Sequence, residues 1–409
     1  MRVAVVFSGN PNNMKGIMNY VHEKCRLLET RKTETFSVDF FIIQQSFSKW
    51  VQLLHGLLGK KKIINADNKK TQDYIEIENV VYRSIGISYT LWDNFFTTRL
   101  QKRFLPLRYC RRYKSLLEQY DIITTHTYLA HDLALYVKEK KGIPYICTWH
   151  GSDINVTPRQ SPQLFNHIKT IIDNADCNLF VSKALMQSAE QITKGGEKKV
   201  IYTGPSGIFY KYTEDERKKL REKFGVVGKK VVSYVGNLVA IKNVLTLPAI
   251  FRKIVDGLNT DNLVFWIIGD GDLEEQLRSE LEQQNINYVM FGKVPPADIP
   301  MYMNVSDLML LISLNEGLGL VNMEAIRCGC NVVGSNIGGI PEVIGIENSF
   351  DLGEHFVDDI SVRAIEILAN NESPRSLPDC FSWDNAISQE IEIYNRINKR
   401  VTKYKKTLR

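Results

Sequence analysis

Short apolar runs alternate with helical stretches along most of this 409-residue chain, and the alternation occurs in two series. The apolar runs are residues 3–7, 38–43, 122–125, 145–149 and 177–181, and then 230–236, 263–268, 288–291, 308–314 and 331–334. Strands that alternate with helices are typical of parallel sheets covered by helices on both faces. The sequence therefore predicts an α/β protein with two doubly wound, Rossmann-like domains whose strand carboxyl ends meet at a shared cleft.

The boundary between the two series falls within residues 201–212. Gly204-Pro205-Ser206-Gly207 indicates a linker there. A chain of this length exceeds one ordinary core, which agrees with two domains. We expect a first domain over residues 1–204 and a second over 205–383. Residues 384–409 follow as a helix with an increasingly basic tail.

Composition indicates a globular protein of the cytoplasm. Hydrophobic residues make up 44% of the chain and charged residues 24%, and the net charge of +6 is too small to indicate nucleic acid. No apolar run approaches the roughly 18 residues that span a bilayer, and no signal peptide is visible. The 7 cysteines lack metal-ligand spacing, so we expect buried, reduced thiols.

The most informative motif follows the apolar run 308–314. Glu316 and Glu324 flank a glycine-bearing loop and the start of a predicted helix that ends near Gly329. Backbone N–H groups and the positive end of a helix form a natural anion site. Two carboxylates at an anion site suit a ligand that also carries hydroxyl groups, and a nucleotide sugar carries both.

Two further glycine-bearing turns follow strands of the second series. Gly236 lets the backbone approach a phosphate, and Lys242 supplies a positive charge nearby. The turn Gly269-Asp270-Gly271-Asp272 is either a second ligand loop or a tight turn with an acidic helix N-cap. Neither a dinucleotide-binding glycine motif nor a Walker motif is present, so no nicotinamide, flavin or other cofactor is predicted.

These motifs, in this order, resemble the donor-binding domain of the retaining GT-B glycosyltransferases of family 4, the group 1 type. The resemblance rests on Gly236-Asn237-Leu238 with Lys242-Asn243, Gly269-Asp270-Gly271, Phe291-Gly292-Lys293-Val294, Glu316 with Glu324, and Gly338-Gly339-Ile340-Pro341-Glu342. It extends more thinly through the first domain at Gly16, residues 125–127 and residues 148–153, and reappears at residues 381–383.

The resemblance implies a role for each matching residue. Glu324 would bind the donor's ribose and Glu316 the transferred sugar, while Lys242 would neutralise the leaving diphosphate. The remaining donor-binding residues would be Gly16, Gly236, Asn237, Val294, Gly317, Leu318, Gly319 and Leu320. The family commonly has arginine where Asn237 stands, so charge compensation here rests more heavily on Lys242.

The resemblance also implies the reaction. A nucleotide-diphosphate sugar, with uridine favoured over guanosine, would donate its sugar to a glycan or lipid-linked acceptor of bacterial surface polysaccharide synthesis. The anomeric configuration would be retained by front-face displacement, without a metal ion. The C-terminal helix would pack back on the first domain.

Three residues of the first domain are candidates for contacts in the cleft. His150 follows a predicted strand and should project from its carboxyl edge, where it would orient donor sugar or acceptor. His126 either contacts the acceptor or belongs to a capped helix start with Thr125 and Thr127. Asp153 is either a helix N-cap or an acceptor contact.

Residues 92–114 interleave aromatic and basic side chains, with no acid between Asp93 and Glu118. Between Arg99 and Lys114 this segment is either a contact with an anionic membrane surface, on the inner face of the plasma membrane, or a core helix with a solvated basic face. No motif supports nucleic acid.

Two alternative functions use the same fold. A sugar-nucleotide 2-epimerase would bind the same donor without an acceptor. A binding subunit would have lost catalytic residues, yet Glu316, Glu324, Lys242 and His150 are all present.

Overall fold

A computed structural model describes residues 1–10, 16–47, 73–90, 93, 105–260 and 262–407 of the chain. Strands and helices alternate throughout, which confirms the predicted α/β class. The chain divides into two compact units. Unit 1 comprises Met1–Val181, Leu185–Ile201 and Asp384–Arg409, and unit 2 comprises Ser182–Ala184 and Tyr202–Trp383.

Unit 1 contains a sheet with the strand order β3-β4-β2-β1-β5-β6-β7-β8. All neighbours are parallel except β3, which pairs antiparallel with β4. Its strands are β1 (Arg2–Ser8), β2 (Ser37–Phe47), β3 (Tyr74–Ile77), β4 (Val80–Tyr89), β5 (Ile122–Thr125), β6 (Tyr145–Trp149), β7 (Cys177–Phe180) and β8 (Lys198–Val200).

The helices of the N-terminal half connect these strands. They are α1 (Ile17–Glu29), α2 (Leu107–Leu117), α3 (Tyr128–Lys141), α4 (Ser152–Asn155), α5 (Pro162–Asn174) and α6 (Lys183–Ile192), with a 3-10 turn at Thr157–Arg159. The last helix of the chain, α14 (Trp383–Thr407), also belongs to unit 1 from Asp384 onward.

Unit 2 contains a parallel sheet with the order β11-β10-β9-β12-β13-β14. Its strands are β9 (Lys230–Val235), β10 (Leu263–Ile268), β11 (Tyr288–Gly292), β12 (Leu308–Leu311), β13 (Asn331–Ser335) and β14 (Ser349–Phe350). Its helices are α7 (Glu214–Lys223), α8 (Leu247–Leu258), α9 (Glu274–Gln283), α10 (Ile299–Val305), α11 (Leu320–Arg327), α12 (Ile340–Ile344) and α13 (Phe356–Asn370), with 3-10 turns at Ala240–Lys242, Val244–Thr246, Pro296–Asp298 and Ile346–Asn348.

Each sheet has a point at which the strand order reverses. In unit 1 it lies between β1 and β5, and in unit 2 between β9 and β12. Loops on the two sides of such a point diverge, which leaves a crevice at the carboxyl ends of the strands where open α/β sheets bind ligands. The predicted site residues belong to these places, since Gly16 follows β1, Lys242 follows β9 and Glu316 follows β12.

Burial explains why the apolar runs predicted these strands so closely. Every residue of β10 and β12 is buried, because helices cover both faces of the sheet. The run 308–314 nevertheless forms a shorter strand than predicted, ending at Leu311. Beyond it, the Ser313 carbonyl accepts a hydrogen bond from the Ser335 hydroxyl (2.7 Å), and the Leu314 amide donates to the Ile241 carbonyl (2.9 Å).

The sequence predicted that the first domain ends at residue 204, whereas the boundary between the two units lies between Ile201 and Tyr202. Unit 2 already includes Tyr202, whose hydroxyl donates to Glu342 and whose ring packs on Phe381 (4.8 Å between centroids). It also includes Ser182, whose hydroxyl donates to the Gly317 carbonyl (2.7 Å). These contacts within unit 2 move the boundary upstream of the glycine-proline linker.

Two further predictions concern membrane-spanning segments and the state of the cysteines. No helix among the described residues is both long and apolar enough to cross a membrane. Six of the seven cysteines are buried free thiols, whereas Cys380 is an exposed free thiol, because it lies in the irregular segment before α14.

Candidate active-site residues

In unit 2 the loops after β9 and β12 meet at the reversal point of the sheet. The Lys242 ammonium forms an ion pair with the Glu316 carboxylate, and the Ser313 hydroxyl lies 3.4 Å from the same carboxylate oxygen. Both charged side chains keep about a fifth of their surface exposed, 23% for Lys242 and 19% for Glu316. The sequence predicted both residues, and the structure pairs them directly.

Glycines hold the Glu316 loop in a close-packed conformation. Gly319 is the N-cap of α11 with φ +80°, a conformation that L side chains rarely adopt. A Cβ atom on Gly338, which has φ +56°, would lie 1.9 Å from the Glu316 carbonyl oxygen. The Gly339 amide donates to the Gly317 carbonyl (3.0 Å). The Glu316 loop is therefore positioned by backbone that approaches it closely, with Leu318 buried beneath and Leu320 opening the helix.

Glu324 lies one turn into α11 and is half-buried. Desolvation raises the pKa of its carboxyl group to about 7. No described residue pairs with this carboxylate. Asn322, on the same helix, is fully buried, and neither of its side-chain amide atoms has a hydrogen-bond partner among the described residues. The sequence analysis missed Asn322, although a polar residue inside an apolar helix start is a visible signal.

The Gly236 turn is packed against the Gly269 turn. A Cβ atom on Gly269 would lie 1.8 Å from the Gly236 carbonyl oxygen, and one on Gly271 would lie 2.3 Å from that of Leu238. The acidic N-cap considered for the second turn is wrong, because α9 begins at Glu274 after Leu273, without a side-chain cap. These glycines bring two loops together.

Two other predicted donor residues lie at the same carboxyl edge of the unit 2 sheet. Asn237 is exposed directly after Gly236, beyond β9. Val294 is partly exposed and follows β11, the edge strand. The structure thus brings the predicted donor residues of unit 2 to one edge of one sheet.

In unit 1, Gly16 begins α1 with φ +55° and ψ −118°, a backbone conformation that favours glycine. A Cβ atom there would meet no described residue within 4 Å, and the positive φ is the reason to favour glycine. The turn after β1 therefore needs glycine at this position.

His126 and His150 follow neighbouring strands, β5 and β6, and their side chains meet. His126 Nδ1 lies 3.1 Å from His150 Nε2, and His126 Nε2 lies 2.9 Å from the Lys24 ammonium. Lys24 is also paired with Glu390 of α14, and both are buried. His126 directly precedes Thr127, the N-cap of α3, as the helix-start alternative placed it, but no side chain caps this helix, and the His126 ring is buried in this cluster. The sequence analysis missed Lys24 and Glu390.

Asp153 turns back on the loop that carries His150. Its carboxylate accepts hydrogen bonds from the His150 amide (2.9 Å) and the Gly151 amide (2.7 Å). Desolvation raises the pKa of the carboxyl group to about 6, against the opposing effect of these amides. Asp153 thus fixes the turn after β6, which is closer to the capping alternative than to an acceptor contact.

The basic segment lies only partly within the described residues, because 94–104 fall outside them. Helix α2 buries Tyr109, Cys110 and Leu117 and exposes Arg111 and Arg112. Its other exposed arginine, Arg108, donates to Asp93 (2.5 Å) and to the Ser88 carbonyl (2.8 Å). Helix α2 is therefore amphipathic, with a basic outer face.

The described residues contain no group of three acidic, histidine or cysteine side chains arranged to hold a metal ion.

Two family models match this chain. Residues 216–378 match the model described as "Glycosyl transferases group 1", and residues 72–204 match "Glycosyltransferase Family 4". The first match contains the whole Lys242, Glu316 and Glu324 region. The second contains His126, His150 and Asp153.

Several curated proteins are similar in sequence. The chain is 28% identical over 213 residues to TuaC of Bacillus subtilis (strain 168), a glycosyltransferase assigned by name to teichuronic acid biosynthesis; the match spans 52% of this chain and 52% of TuaC, about half its length. It is 28% identical over 293 residues to N-acetyl-alpha-D-glucosaminyl L-malate synthase of Bacillus anthracis, which spans 68% of this chain and 75% of that protein.

Solved structures share the fold over almost the whole chain. Sucrose-phosphate synthase from Thermosynechococcus elongatus superposes with a TM-score of 0.72 at 17% identity, covering 97% of this chain and 98% of that one. Anabaena HepE in complex with UDP-glucose superposes with a TM-score of 0.63 at 17% identity, covering 98% and 99%. The two family matches, the glycosyltransferase relatives and this shared fold together support a GT-B glycosyltransferase of the group 1 type.

Proposed function

We propose that the chain transfers a sugar from a nucleotide-diphosphate sugar, preferentially a UDP-sugar, to an acceptor hydroxyl with retention of anomeric configuration. The observation that carries this proposal is the Lys242–Glu316 ion pair, which lies at the reversal point of the unit 2 sheet beside the amino end of α11. A cation, a carboxylate and a helix N-terminus at one sheet edge match the phosphates and hydroxyls of such a donor. HepE, of the same fold, binds UDP-glucose.

The ion pair suggests how donor binding prepares the reaction. The Lys242 ammonium neutralises Glu316. A bound diphosphate would attract the ammonium, and the Glu316 carboxylate would then accept hydrogen bonds from sugar hydroxyls. Cleavage of the bond between the anomeric carbon and phosphate builds negative charge on the diphosphate. Lys242 and the α11 N-terminus would stabilise that charge.

Retention is proposed from the resemblance to family 4. The acceptor oxygen would form its bond to the anomeric carbon on the face that the diphosphate leaves. The acceptor's proton would pass to a departing phosphate oxygen, so that no protein nucleophile is required. Glu324 would bind the ribose hydroxyls, and its raised pKa is consistent with a carboxyl group that has no partner among the described residues.

The names of the relatives support a role in polysaccharide or glycoconjugate biosynthesis, since one is assigned to teichuronic acid and another to a glucosaminyl malate. We therefore propose a glycan or lipid-linked acceptor.

The exposed Arg111 and Arg112 of α2 would then contact anionic lipid. The chain should co-sediment with vesicles of anionic lipid, and the double variant Arg111→Gln/Arg112→Gln should bind more weakly. Equal binding by both proteins would remove α2 from the membrane contact.

Thermal stabilisation by nucleotides tests donor binding. A ligand that binds only the folded chain stabilises it by roughly 2.7 kcal/mol at a hundredfold excess over its Kd. UDP and UDP-sugars should raise the Tm more than GDP and GDP-sugars do. Lys242→Met should abolish most of this shift and lower turnover about 10²- to 10³-fold. Lys253→Met is the matched control, because Lys253 forms an exposed ion pair with Asp358 on the same unit.

The product identifies the reaction. With an acceptor glycan, the new glycosidic bond should have the donor's anomeric configuration by NMR, and turnover should persist in EDTA. Inversion of configuration would refute the proposed front-face route. If a UDP-sugar incubated without acceptor changes its stereochemistry at carbon 2, the chain is an epimerase instead.

A further inference from the structure

Four side chains of unit 1 form a continuous series of hydrogen bonds, which we call the His150 network. Glu390 of α14 contacts Lys24 of α1, Lys24 contacts His126 Nε2 (2.9 Å), and His126 Nδ1 contacts His150 Nε2 (3.1 Å). Lys24, His126 and Glu390 are 1%, 0% and 4% exposed, whereas His150 is partly exposed. The His150 network thus begins inside unit 1 and ends at the carboxyl edge of the unit 1 sheet.

The direction of each hydrogen bond follows from chemistry. A lysine ammonium has three N–H donors and no acceptor, so Lys24 must donate to His126 Nε2. A neutral imidazole has one donor and one acceptor nitrogen, so His126 carries its proton on Nδ1 and donates it to His150 Nε2. His150 therefore accepts through Nε2 and carries its own proton on Nδ1.

Charged imidazoles do not fit this arrangement. Burial, the Lys24 ammonium and the neighbouring His150 and His131 lower the pKa of His126 well below its ordinary value. Burial and then Lys24 lower the pKa of His150 to about 3. Burial first, and the Lys24 ammonium second, therefore keep both rings uncharged.

The outer nitrogen of His150 is available to a ligand. Among the described residues, none hydrogen-bonds to its Nδ1. Asp153, the nearest carboxylate in sequence, is engaged with the backbone amides of residues 150 and 151. The Tyr20 ring packs against the His150 ring with 4.7 Å between centroids and fixes its plane.

We propose that Glu390, Lys24 and His126 are positioning residues that hold His150 as the neutral tautomer protonated on Nδ1, so that it donates a hydrogen bond to substrate oxygen and cannot accept a proton there. This inference rests on the proposed function and on the expectation from the sequence that His150 orients the donor sugar or the acceptor. It assigns His150 the role of hydrogen-bond donor and excludes that of general base. The charge that fixes this role is the Lys24 ammonium of α1, two side chains from His150, and Glu390 of α14 pairs with it.

The tautomer is measured directly by NMR of the full chain labelled with ¹⁵N-histidine. Two-bond and three-bond ¹H–¹⁵N correlations distinguish a protonated ring nitrogen from a bare one. The variants His126→Gln and His150→Gln assign the two signals among the 7 histidines. At pH 7 both rings should show bare Nε2 and protonated Nδ1. A His150 ring that is protonated on Nε2, or is positively charged, would overturn the proposal.

The double variant Lys24→Met/Glu390→Gln tests the source of the effect. It removes both charges with little change of volume, and the side-chain oxygen of the introduced glutamine still accepts from the Tyr394 hydroxyl, which lies 2.8 Å from Glu390 in the native chain. His126 is then free to reverse its tautomer, so the His150 signal should shift to a mixture of both forms. We expect kcat to fall roughly 10- to 100-fold while the UDP-induced Tm shift is unchanged. An unchanged His150 signal would show that Lys24 and Glu390 do not control it.

Tyr82→Phe is the matched control. The Tyr82 hydroxyl lies 2.6 Å from Nδ1 of His22, and His22 is on helix α1 with Lys24. This variant therefore removes a buried hydrogen bond of the same helix but leaves the His150 network intact. Its His150 signal and kcat should match the native protein. Should the double variant fail to fold, the native spectrum still decides the tautomer. If no nucleotide sugar is turned over at all, the proposed function fails, whereas the tautomer assignment is judged by NMR alone.

Discussion

At the scale of the residue, Glu324 has an environment that suits a ligand better than it suits the folded chain. Its carboxyl group is half-buried, has no partner among the described residues and has a pKa raised to about 7 by desolvation. A carboxylate held in this way costs folding free energy whenever it is ionised. Hydroxyl groups of a bound ribose would supply the missing hydrogen bonds.

The variant Glu324→Gln should therefore be more stable than the native chain at high pH. Because the folded pKa lies above the unfolded one, native stability falls as pH rises from about 4.5 to about 7, whereas glutamine has no charge to lose. The Tm of the variant should exceed the native Tm at pH 8.5, by a difference equivalent to about 3 kcal/mol, and match it near pH 4.5. The same variant should lose UDP-sugar binding. A Tm difference that does not change with pH would contradict the assigned environment.

Lys24 illustrates what a single sequence does not reveal at this scale. Its partner Glu390 is 366 positions away, and each residue on its own helix looks like an ordinary solvated charge. Glu316, Glu324 and Lys242 could be predicted because local context identifies them, as each stands beside a glycine-bearing turn after an apolar run. Burial of a charge depends on packing between distant helices, and no local pattern encodes it.

At the scale of the element, four loops of unit 2 pack together through glycines and backbone hydrogen bonds. The loop after β13 packs on the Glu316 loop at Gly338 and Gly339, and the Gly269 turn packs on the Gly236 turn. The Glu316 loop and the Lys242 turn are joined by the Leu314–Ile241 hydrogen bond. The position of the Lys242–Glu316 pair thus depends on loops that carry neither residue.

Gly338→Ala should disrupt the site without altering any charged side chain. A Cβ atom there would lie 1.9 Å from the Glu316 carbonyl oxygen, and φ +56° adds a conformational cost of about 1–3 kcal/mol. We expect a lower Tm and loss of most UDP-induced stabilisation. Gly353→Ala is the control, because a Cβ atom at Gly353 meets no described residue within 4 Å and its φ is not in the left-handed region. Native-like nucleotide binding by Gly338→Ala would show that the loop after β13 does not position Glu316.

Strands could be predicted from the sequence where both of their faces are buried. The strands β5, β6 and β10 have the predicted bounds, because a continuous apolar run leaves little choice of register. The edge strands β3, β8 and β14 were missed. β3 alternates between exposed and half-buried residues, and β8 is the three-residue segment Lys-Lys-Val. β4 was missed as well, since its apolar residues are interrupted by Arg83, Ser84 and Gly86.

At the scale of the whole molecule, unit 1 depends on the end of the chain. Helix α14 inserts buried side chains into it, namely Ala386, Ile387, Glu390, Ile393, Tyr394 and Ile397. Near its surface, Arg396 pairs with Glu197 (3.0 Å) and Arg400 with Asp176 (2.5 Å). The predicted helix over 384–409 thus belongs to the core of unit 1 as well as to its surface.

A chain that ends at Trp383 should lose the structure of unit 1 and keep that of unit 2. Each buried aliphatic or aromatic side chain of α14 contributes roughly 1.5–3 kcal/mol, and together they match the roughly 5–15 kcal/mol of a typical domain. Limited proteolysis with mass spectrometry should then leave a fragment near residues 202–383. A chain that ends at Lys403 keeps these buried side chains and should resist cleavage like the full protein. Protection of residues 1–201 in the shorter chain would contradict this dependence.

Helix α14 also sets the order in which the protein can mature. A ribosome makes the roughly 180 residues of unit 2 between the main part of unit 1 and its final helix. At 5–20 residues per second this interval lasts on the order of ten seconds or more. During that time Lys24 has been synthesised and its carboxylate partner has not. The part of unit 1 that is made before unit 2 therefore reaches its native state after unit 2, and it must stay soluble while unit 2 and α14 are made.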